Sequence, residues 1–450
     1  MRLRPLQAKA IDDLRAAYRA GYRAPVLVAP TGFGKTATSC VLIRSAVEKR
    51  QRVWFLAHLR EILAQTSAKL TAEGIGHGWL AAGQTPAESP VQLCMMQTVV
   101  RRLDHLQPPD LVIVDEAHTA VSESYQTILR WAGNAKRLFL TATPERTDGR
   151  GLGQVADALV PTCSTQHLID AGLLAPIRYY APSRPDLSGV RTVAGDYAQG
   201  EVADAMNRPT ITGDAVAHYA KLAHGRPCVV FCTNVRHAED TAEAFRAADY
   251  RALAISGESQ SEDRDRALRG LADGSLDVVV NCQLWVAGVD CPSIGCVVLL
   301  APTKSVTKYL QSVGRGLRTA PGKTDLIVLD HAGNAYQHGL PTEAREWSLE
   351  GVKRRSRAEG DVESVRQCER CYFVFPPAPV CPSCGHEHQP KQTKIQQCDG
   401  ELEQLTEVKR EKRREVGKAR TIGDLIQIAK DRGYAMGWVW QMARVKGIKA

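Results

Sequence analysis

The stretch PVLVAPTGFGKT, residues 25–36, decides how the rest of the chain is read. Its first five residues form a short apolar run suited to a buried strand. Gly32 and Gly34 follow, where the backbone must curl, and the helical stretch KTATSCVLIRSAV starts at Lys35. A strand, a glycine-rich turn and a helix start in this order point backbone N–H groups and a positive helix end at one spot, which suits an anion. The stretch matches the P-loop pattern, with Ala29 where the stricter form has glycine, and Pro30 and Thr31 completing the turn. Lys35 then reaches the β- and γ-phosphates of a nucleoside triphosphate, and Thr36 holds Mg²⁺ through its hydroxyl.

Outward from this loop, short β-branched runs alternate with helical stretches. PVLVA (25–29), RVWFLA (52–57), VQLCMM (91–96), LVIVD (111–115) and RLFLTA (137–142) predict buried strands in residues 1–172. The pattern repeats over 211–345 with CVVFC (228–232), RALAIS (251–256), DVVVNC (277–282), CVVLL (296–300) and DLIVLD (325–330). Near-continuous apolar strands separated by helices predict parallel sheets covered on both faces. Residues 173–210, rich in Pro, Gly, Arg and Asp, are expected to link the two α/β domains. The cleft between the domains is the expected ligand site, at the carboxyl ends of the strands.

The run LVIVDEAH ends a strand on Asp115 and Glu116, with His118 two residues on. After a P-loop, the first carboxylate belongs to the Mg²⁺ shell and the second can orient and deprotonate a water. In the second half, QSVGRGLRTA (311–320) carries Arg315 and Arg318 with no acid in the segment. If helical, the two guanidinium groups share a face and need an anion between them. The γ-phosphate held by the first half supplies it, and the pair would act as arginine fingers.

Together these residues resemble superfamily 2 helicases and translocases over about residues 1–335. The resemblance implies two tandem RecA-like P-loop domains and hydrolysis of ATP with Mg²⁺, stimulated by nucleic acid. It assigns Gln7 in LRPLQ to the adenine. His58 and Arg60 in LAHLREILAQT, and Gln97 and Thr98 in MMQTV, fall to the nucleic-acid backbone, as do Thr233 and Asn234 in FCTNV and Ser256 and Gly257 in ISGES. Thr141 and Thr143 in TATP, with His118, link ATP state to strand grip. Gly288 and Asp290 in WVAGVDCP, and Gln311, Arg315 and Arg318 in QSVGRGLR, fall to the nucleotide site. Within the superfamily the chain looks most like RadD-type bacterial and phage DNA-repair ATPases. Val286 and Ala287 depart from the Thr or Glu common before the glycine of motif V, which puts strand-to-nucleotide coupling in doubt. The expected function is an ATP-dependent DNA helicase or translocase in repair, recombination or phage replication. An RNA helicase, or an ATP-gated DNA-binding accessory protein, stands as the alternative.

Beyond the motor, CERCYFVFPPAPVCPSCG (368–385) spaces Cys368, Cys371, Cys381 and Cys384 as two C-x₂-C knuckles, which predicts a structural Zn²⁺ ribbon over 364–388. The other cysteines of strands such as CVVFC read as small buried hydrophobes. A helical, basic tail is expected over 400–450, with a Thr421–Asp424 capping box, a stop at Gly433, and Trp438 and Trp440 beside Arg444 and Lys446. The net charge of +9 suits a polyanionic partner, DNA or RNA. No apolar run is long enough to span a membrane and the start lacks a signal core, so a cytoplasmic location is expected.

Overall fold

The computed structural model of the chain describes residues 3–84, 88–146, 149–182, 185, 187, 189–193, 195–207, 209–282, 291–351, 365–388, 415, 419–432, 434, 436–446 and 448. Within Met1–Gln389, which forms one compact unit, seven strands build the first sheet: β1 (Pro25–Val28), β2 (Val53–Ala57), β3 (Gly78–Leu80), β4 (Val91–Met95), β5 (Leu111–Asp115), β6 (Lys136–Thr141) and β7 (Ala158–Pro161). Their order is β3-β4-β2-β5-β6-β1-β7, and every pairing is parallel. Alternation along a strand explains why nearly every position is apolar. Leu27 enters one core with Phe55, Ile113 and Leu140, while Val26 and Val28 enter another with Trp54, Val112 and Phe139. A sheet buried on both faces leaves no solvent side for polar residues.

The second sheet takes β8 (Ile177–Tyr180) and five later strands, β11 (Cys228–Cys232), β12 (Ala252–Ile255), β13 (Val278–Cys282), β14 (Cys296–Leu299) and β15 (Leu326–Asp330), in the order β12-β13-β11-β14-β15-β8. Between β8 and β11 lie a small hairpin of β9 (Thr192–Val193) and β10 (Asp196–Tyr197) and two helices, Gln199–Met206 and Pro209–Leu222. Residues 173–210, expected as a linker, therefore contribute an edge strand to the second sheet. Its four residues IRYY are too short a run to show periodicity, and only the pairing with β15 makes them a strand. Cys228, Cys232 and Cys296 are buried in the apolar core on one face of this sheet.

The chain then doubles back. Leu349 accepts a hydrogen bond from Gly153 N at 2.8 Å, and Gly351 bridges Arg150, so residues past the second sheet pack on the first lobe. Backbone approaches backbone so closely that a Cβ on Gly151 would sit 2.1 Å from the Leu349 carbonyl oxygen. The ribbon follows, with β16 (Arg366–Gln367) antiparallel to β17 (Val374–Phe375).

Pro390–Ala450 forms a separate unit. Its described helices, Ile422–Arg432 and Met436–Lys446, enclose a small core of Leu425, Ala429, Val439 and Ala443. Thr421 and Asp424 make the expected capping box. Thr421 N donates to Asp424 Oδ2 at 2.9 Å, and Asp424 N donates to Thr421 Oγ1 at 3.2 Å. Gly433, the expected helix stop, lies outside the described residues. Among the described residues no helix is long and apolar enough to cross a membrane.

Candidate active site

The loop after β1 curls through two left-handed glycines, Gly32 (φ +85°) and Gly34 (φ +95°), before the helix Lys35–Glu48 begins. A β-carbon at Gly34 would lie 2.4 Å from Gln7 Nε2, so the loop closes directly over Gln7. Gln7 is buried and donates to the Phe33 carbonyl at 2.9 Å, while its Oε1 accepts from Arg4 N at 3.0 Å. Gln7 thus reports directly on the shape of the loop. Lys35 Nζ donates to the Ala29 carbonyl at 3.1 Å, folding the ammonium back over its own loop.

β5 delivers the two acids. Asp115 is buried at the strand end, and burial, followed by the charge of Glu116, pushes its carboxyl up to about 7 against the pull of Lys35. Glu116 follows with φ +51°, a left-handed conformation costly for a residue with a β-carbon. The twist lets Glu116 N donate to Asp115 Oδ1 at 2.9 Å and turns the Glu116 carboxylate toward the second lobe. His118 Nδ1 lies 3.5 Å from Glu116 Oε2, and burial lowers its pKa, so the imidazole is neutral at pH 7. His58, after β2, is lowered by burial and by the neighbouring His118.

One helix of the second lobe, Val306–Gly314, meets all of this. Ser305 caps it, its side chain accepting from Lys308 N at 3.3 Å. Thr307, Gln311 and Gly314 recur at helical spacing and share a face. Thr143 Oγ1 donates to Thr307 Oγ1 at 2.8 Å, and Thr307 Oγ1 donates onward to the Glu145 carbonyl at 3.2 Å. Gln311 Nε2 donates to Glu116 Oε2 at 3.0 Å. A β-carbon on Gly314 would come 2.9 Å from Thr31 Oγ1 of the phosphate loop. Thr143 is held in turn by Thr141, whose hydroxyl donates to the Thr143 carbonyl at 2.8 Å.

Arg315 and Arg318 do not share a helical face. The helix ends at Gly314, with Arg315 as its C-cap, and Arg318 lies in extended backbone bridged to Leu174. Two glycines, 314 and 316, weaken the helix here, and Gly316 passes so close to Leu326 that a β-carbon would sit 2.4 Å from it. Burial lowers the pKa of both guanidinium groups. Of the two, Arg315 alone feels Glu116 of the opposite lobe, which pulls its pKa back up.

Thr307, Glu145 and Leu174 are seam residues missed by sequence reasoning. Thr307 stood one helical turn before Gln311, a spacing that could have found it. Leu174 had no such signal: its side chain fills the space a Gly32 β-carbon would need, at 2.4 Å.

The expected strand-facing residues follow β2, β4, β11 and β12, with Arg60 opening the helix Arg60–Ala72 and Gln97 and Thr98 in the short helix Met96–Val99. Arg60, Gln97 and Gly257 are exposed, with Thr98 half-buried. The side chains of Thr233, Asn234 and Ser256 are engaged locally. Thr233 Oγ1 bonds His237 Nδ1 at 2.9 Å, Asn234 Oδ1 accepts from His237 N at 2.7 Å, and Ser256 Oγ accepts from Glu258 N at 3.2 Å. Gly288 and Asp290 lie outside the described residues.

In the ribbon, the sulfurs of Cys368, Cys371, Cys381 and Cys384 all lie within 4.8 Å of one another. Cys368 Sγ is 3.6 Å from Cys384 Sγ, and Cys371 Sγ is 3.7 Å from Cys381 Sγ. A tetrahedron with Zn–S bonds of about 2.3 Å has S–S edges of about 3.8 Å. The donor set fits Zn²⁺. His388 stands apart, its ring 5.7 Å from that of Phe375.

Two parallel sheets, a phosphate loop on the first and a helix of the second closing over its acids define a tandem RecA-like ATPase. Residues 1–146 match the profile of the type III restriction enzyme res subunit, and residues 213–320 match that of the helicase conserved C-terminal domain. The chain belongs to the superfamily 2 helicases, a class of nucleic-acid-dependent ATPases. It is 29% identical to a 51.5 kDa protein of a Lactococcus phage, over 80% of this chain and 78% of that one. It is 27% identical to a Saccharomyces cerevisiae protein provisionally named ATP-dependent helicase IRC3, over 74% of this chain and only 51% of that one. Among solved structures, a fragment assigned to the HsdR subunit of a type I restriction enzyme from Vibrio vulnificus superposes with a TM-score of 0.60 at 22% identity, covering 74% of this chain and 65% of that one. The DNA-bound restriction-modification enzyme LlaBIII superposes with a TM-score of 0.54 at 14% identity, over 73% and 27%. These two superpositions speak to the fold.

Proposed function

We propose that the protein is an ATP-dependent DNA helicase or translocase whose ATP site is completed only when its two lobes meet. The observation that carries this reading is the single helix face on which Thr307, Gln311 and Gly314 reach Thr143, Glu116 and Thr31 of the first lobe. The residues fit the nucleotide and its metal: two left-handed glycines curl the loop as an anion cradle requires, and burial beside Glu116 penalises the Asp115 carboxylate in a way that a bound cation would relieve. Gly32 and Gly34 with Pro30 and Thr31 would cradle the phosphates, Lys35 would neutralise them, and Thr36 and Asp115 would hold Mg²⁺. When bound, Mg-ATP supplies the phosphoanhydride bond to be cleaved.

The remaining chemistry falls to side chains. Glu116 orients a water and accepts its proton, with Gln311 fixing the direction of the carboxylate. Arg315, half-buried on the far side of the seam, stabilises charge that grows during cleavage. Because Gln311 and Arg315 belong to the second lobe, turnover depends on closure, and each cycle moves one lobe's strand-facing loops against the other's. Arg60, Gln97 and Gly257 are the exposed residues that would meet the backbone of the strand.

DNA as substrate is supported by the restriction-enzyme profile over residues 1–146 and by the relative named type I restriction enzyme EcoAI endonuclease subunit, 25% identical over 72% of the chain. ATP turnover measured with single-stranded, duplex and forked DNA and with RNA tests the reading. We expect DNA to raise turnover more than RNA does. A rate indifferent to every nucleic acid removes the motor assignment, and DNA-stimulated turnover without strand displacement selects the ATP-gated accessory form.

A further inference from the structure

The unit Pro390–Ala450 has a core that is already complete, with Leu425 and Val439 fully buried. Ile426, Trp438 and Met442 pack against that core, but three large apolar side chains stay outside it. Tyr434 is 43% exposed, Met436 48% and Trp440 53%, and these are three of the seven large hydrophobics exposed among the described residues. Met436 and Trp440 are one helical turn apart and share a face. The ring of the half-buried Trp438 stands 4.9 Å from that of Tyr434. Tyr434 N donates to the Ala429 carbonyl at 2.8 Å, which holds this aromatic corner beside the exposed Lys430. An aromatic corner that its own fold does not need is a surface for something else.

Charge says what. Residues 409–450 hold twelve Lys and Arg against four Asp and Glu, a net +8 out of +9 for the whole chain, so the remaining residues are almost neutral. A partner that is both polyanionic and rich in flat apolar faces is a nucleic acid with unpaired bases; a duplex hides those faces in its stack. We propose that the helical pair is a second nucleic-acid site, separate from the motor loops, that takes single-stranded DNA by stacking bases on Trp440 and Tyr434 while Lys430 meets a phosphate. The choice of DNA over RNA rests on the function proposed above. Such a site keeps the chain on a displaced or unpaired strand whatever the nucleotide state of the motor, because no residue of the ATP site takes part in it.

The test is equilibrium binding of a fluorescent oligo(dT) of about 30 nucleotides to the full-length chain, in a Lys35→Ala background that stops turnover during titration. Stacking is worth about 1–3 kcal/mol per base, so Trp440→Ala should raise Kd by about five- to a hundredfold, with Trp440→Phe close to the parent. Lys430→Gln should reduce the slope of log Kd against log salt by about 0.7. Unchanged affinity in Trp440→Ala overturns the proposal. So does tighter binding of oligo(rU) than of oligo(dT), or a change in sedimentation with DNA binding intact, which would assign the face to a second copy of the chain. The motor assignment is judged separately. DNA-stimulated turnover with an inert Trp440 keeps the motor and removes this site, whereas Trp440-dependent binding without any stimulated turnover does the reverse.

Discussion

Gln311 of the second lobe donates to the Glu116 carboxylate of the first at 3.0 Å, on the oxygen that His118 Nδ1 approaches to 3.5 Å. The acid sits on a left-handed residue, φ +51°, so its direction is set partly by strain in its own backbone and partly by a donor 195 positions away. A carboxylate held at two points has one orientation only while the lobes are together. Removing the donor with Gln311→Ala loses a hydrogen bond to a charged group, worth about 1.5–3 kcal/mol. We expect kcat to fall about ten- to a hundredfold with ATP affinity near the parent, measured by steady-state turnover and nucleotide titration.

Arg315 and Arg318 should separate. Arg315 faces Glu116 across the seam, whereas Arg318 is held in extended backbone against Leu174. Arg315→Ala should lower kcat by about 10³–10⁵, the range for an arginine finger. Lysine at 315 should restore little, since an ammonium lacks the planar fork of donors. Arg318→Ala should cost less in turnover and more in thermal stability.

Gly314→Ala isolates closure from folding. The residue is helical, so alanine favours the helix by about 1 kcal/mol. The new methyl would nonetheless meet Thr31 Oγ1 at 2.9 Å and Thr31 Cβ at 3.0 Å across the cleft. The expected outcome is an unfolding temperature equal to or above the parent's with DNA-stimulated turnover reduced. Equal loss of both would mean that the lobes do not meet here.

Metal removal should act on the second sheet. The ribbon is tied to its edge strand: Ala181 N donates to the Tyr372 carbonyl at 3.1 Å, Tyr180 bridges Phe373, and Tyr336 Oη donates to Gln367 Oε1 at 2.8 Å. Chelation or Cys381→Ser should therefore release one Zn²⁺ per chain. It should also reduce hydrogen-exchange protection around Tyr179–Ala181 by about tenfold or more, since an edge without its cover opens locally. Protection unchanged after metal loss would show the ribbon to be an independent appendage.

His331 predicts the acid limit. Its ring is fully buried, neither nitrogen has a hydrogen-bond partner among the described residues, and the ring of His218 lies 5.2 Å away, tilted by 42°, with Tyr372 and Asp214 close to it. Burial, then His218, lowers its pKa to about 3. The unfolded chain, with an ordinary imidazole near 6.5, binds the proton first. This group is therefore neutral in its effect above about pH 6.5 and costs stability as pH falls from there toward 3, by up to about 1.4 kcal/mol per pH unit. In His331→Phe the acid slope of stability against pH should shrink by about one proton's worth, read from denaturant midpoints at pH 7 and pH 5.

Much of this molecule was legible one-dimensionally because its signals are local. Both phosphate-loop glycines, the acids at the end of β5 and the knuckles Cys368-x₂-Cys371 and Cys381-x₂-Cys384 depend on neighbours a few residues away. Strands buried on both faces must be apolar throughout, which made ten of them visible as runs. Strand β8 was hidden for the opposite reason: IRYY is short, and its pairing partner β15 lies some 150 residues later.

Residue order alone determined the candidate phosphate, metal and zinc ligands, since short spacings dictate local geometry. Only the tertiary structure decided that Gln311 of the other lobe donates to Glu116, that Thr307 joins Thr143, and that Arg315 parts from Arg318 after Gly314. Contacts across a cleft depend on how two separately folded lobes meet, and that relation has no period along the chain.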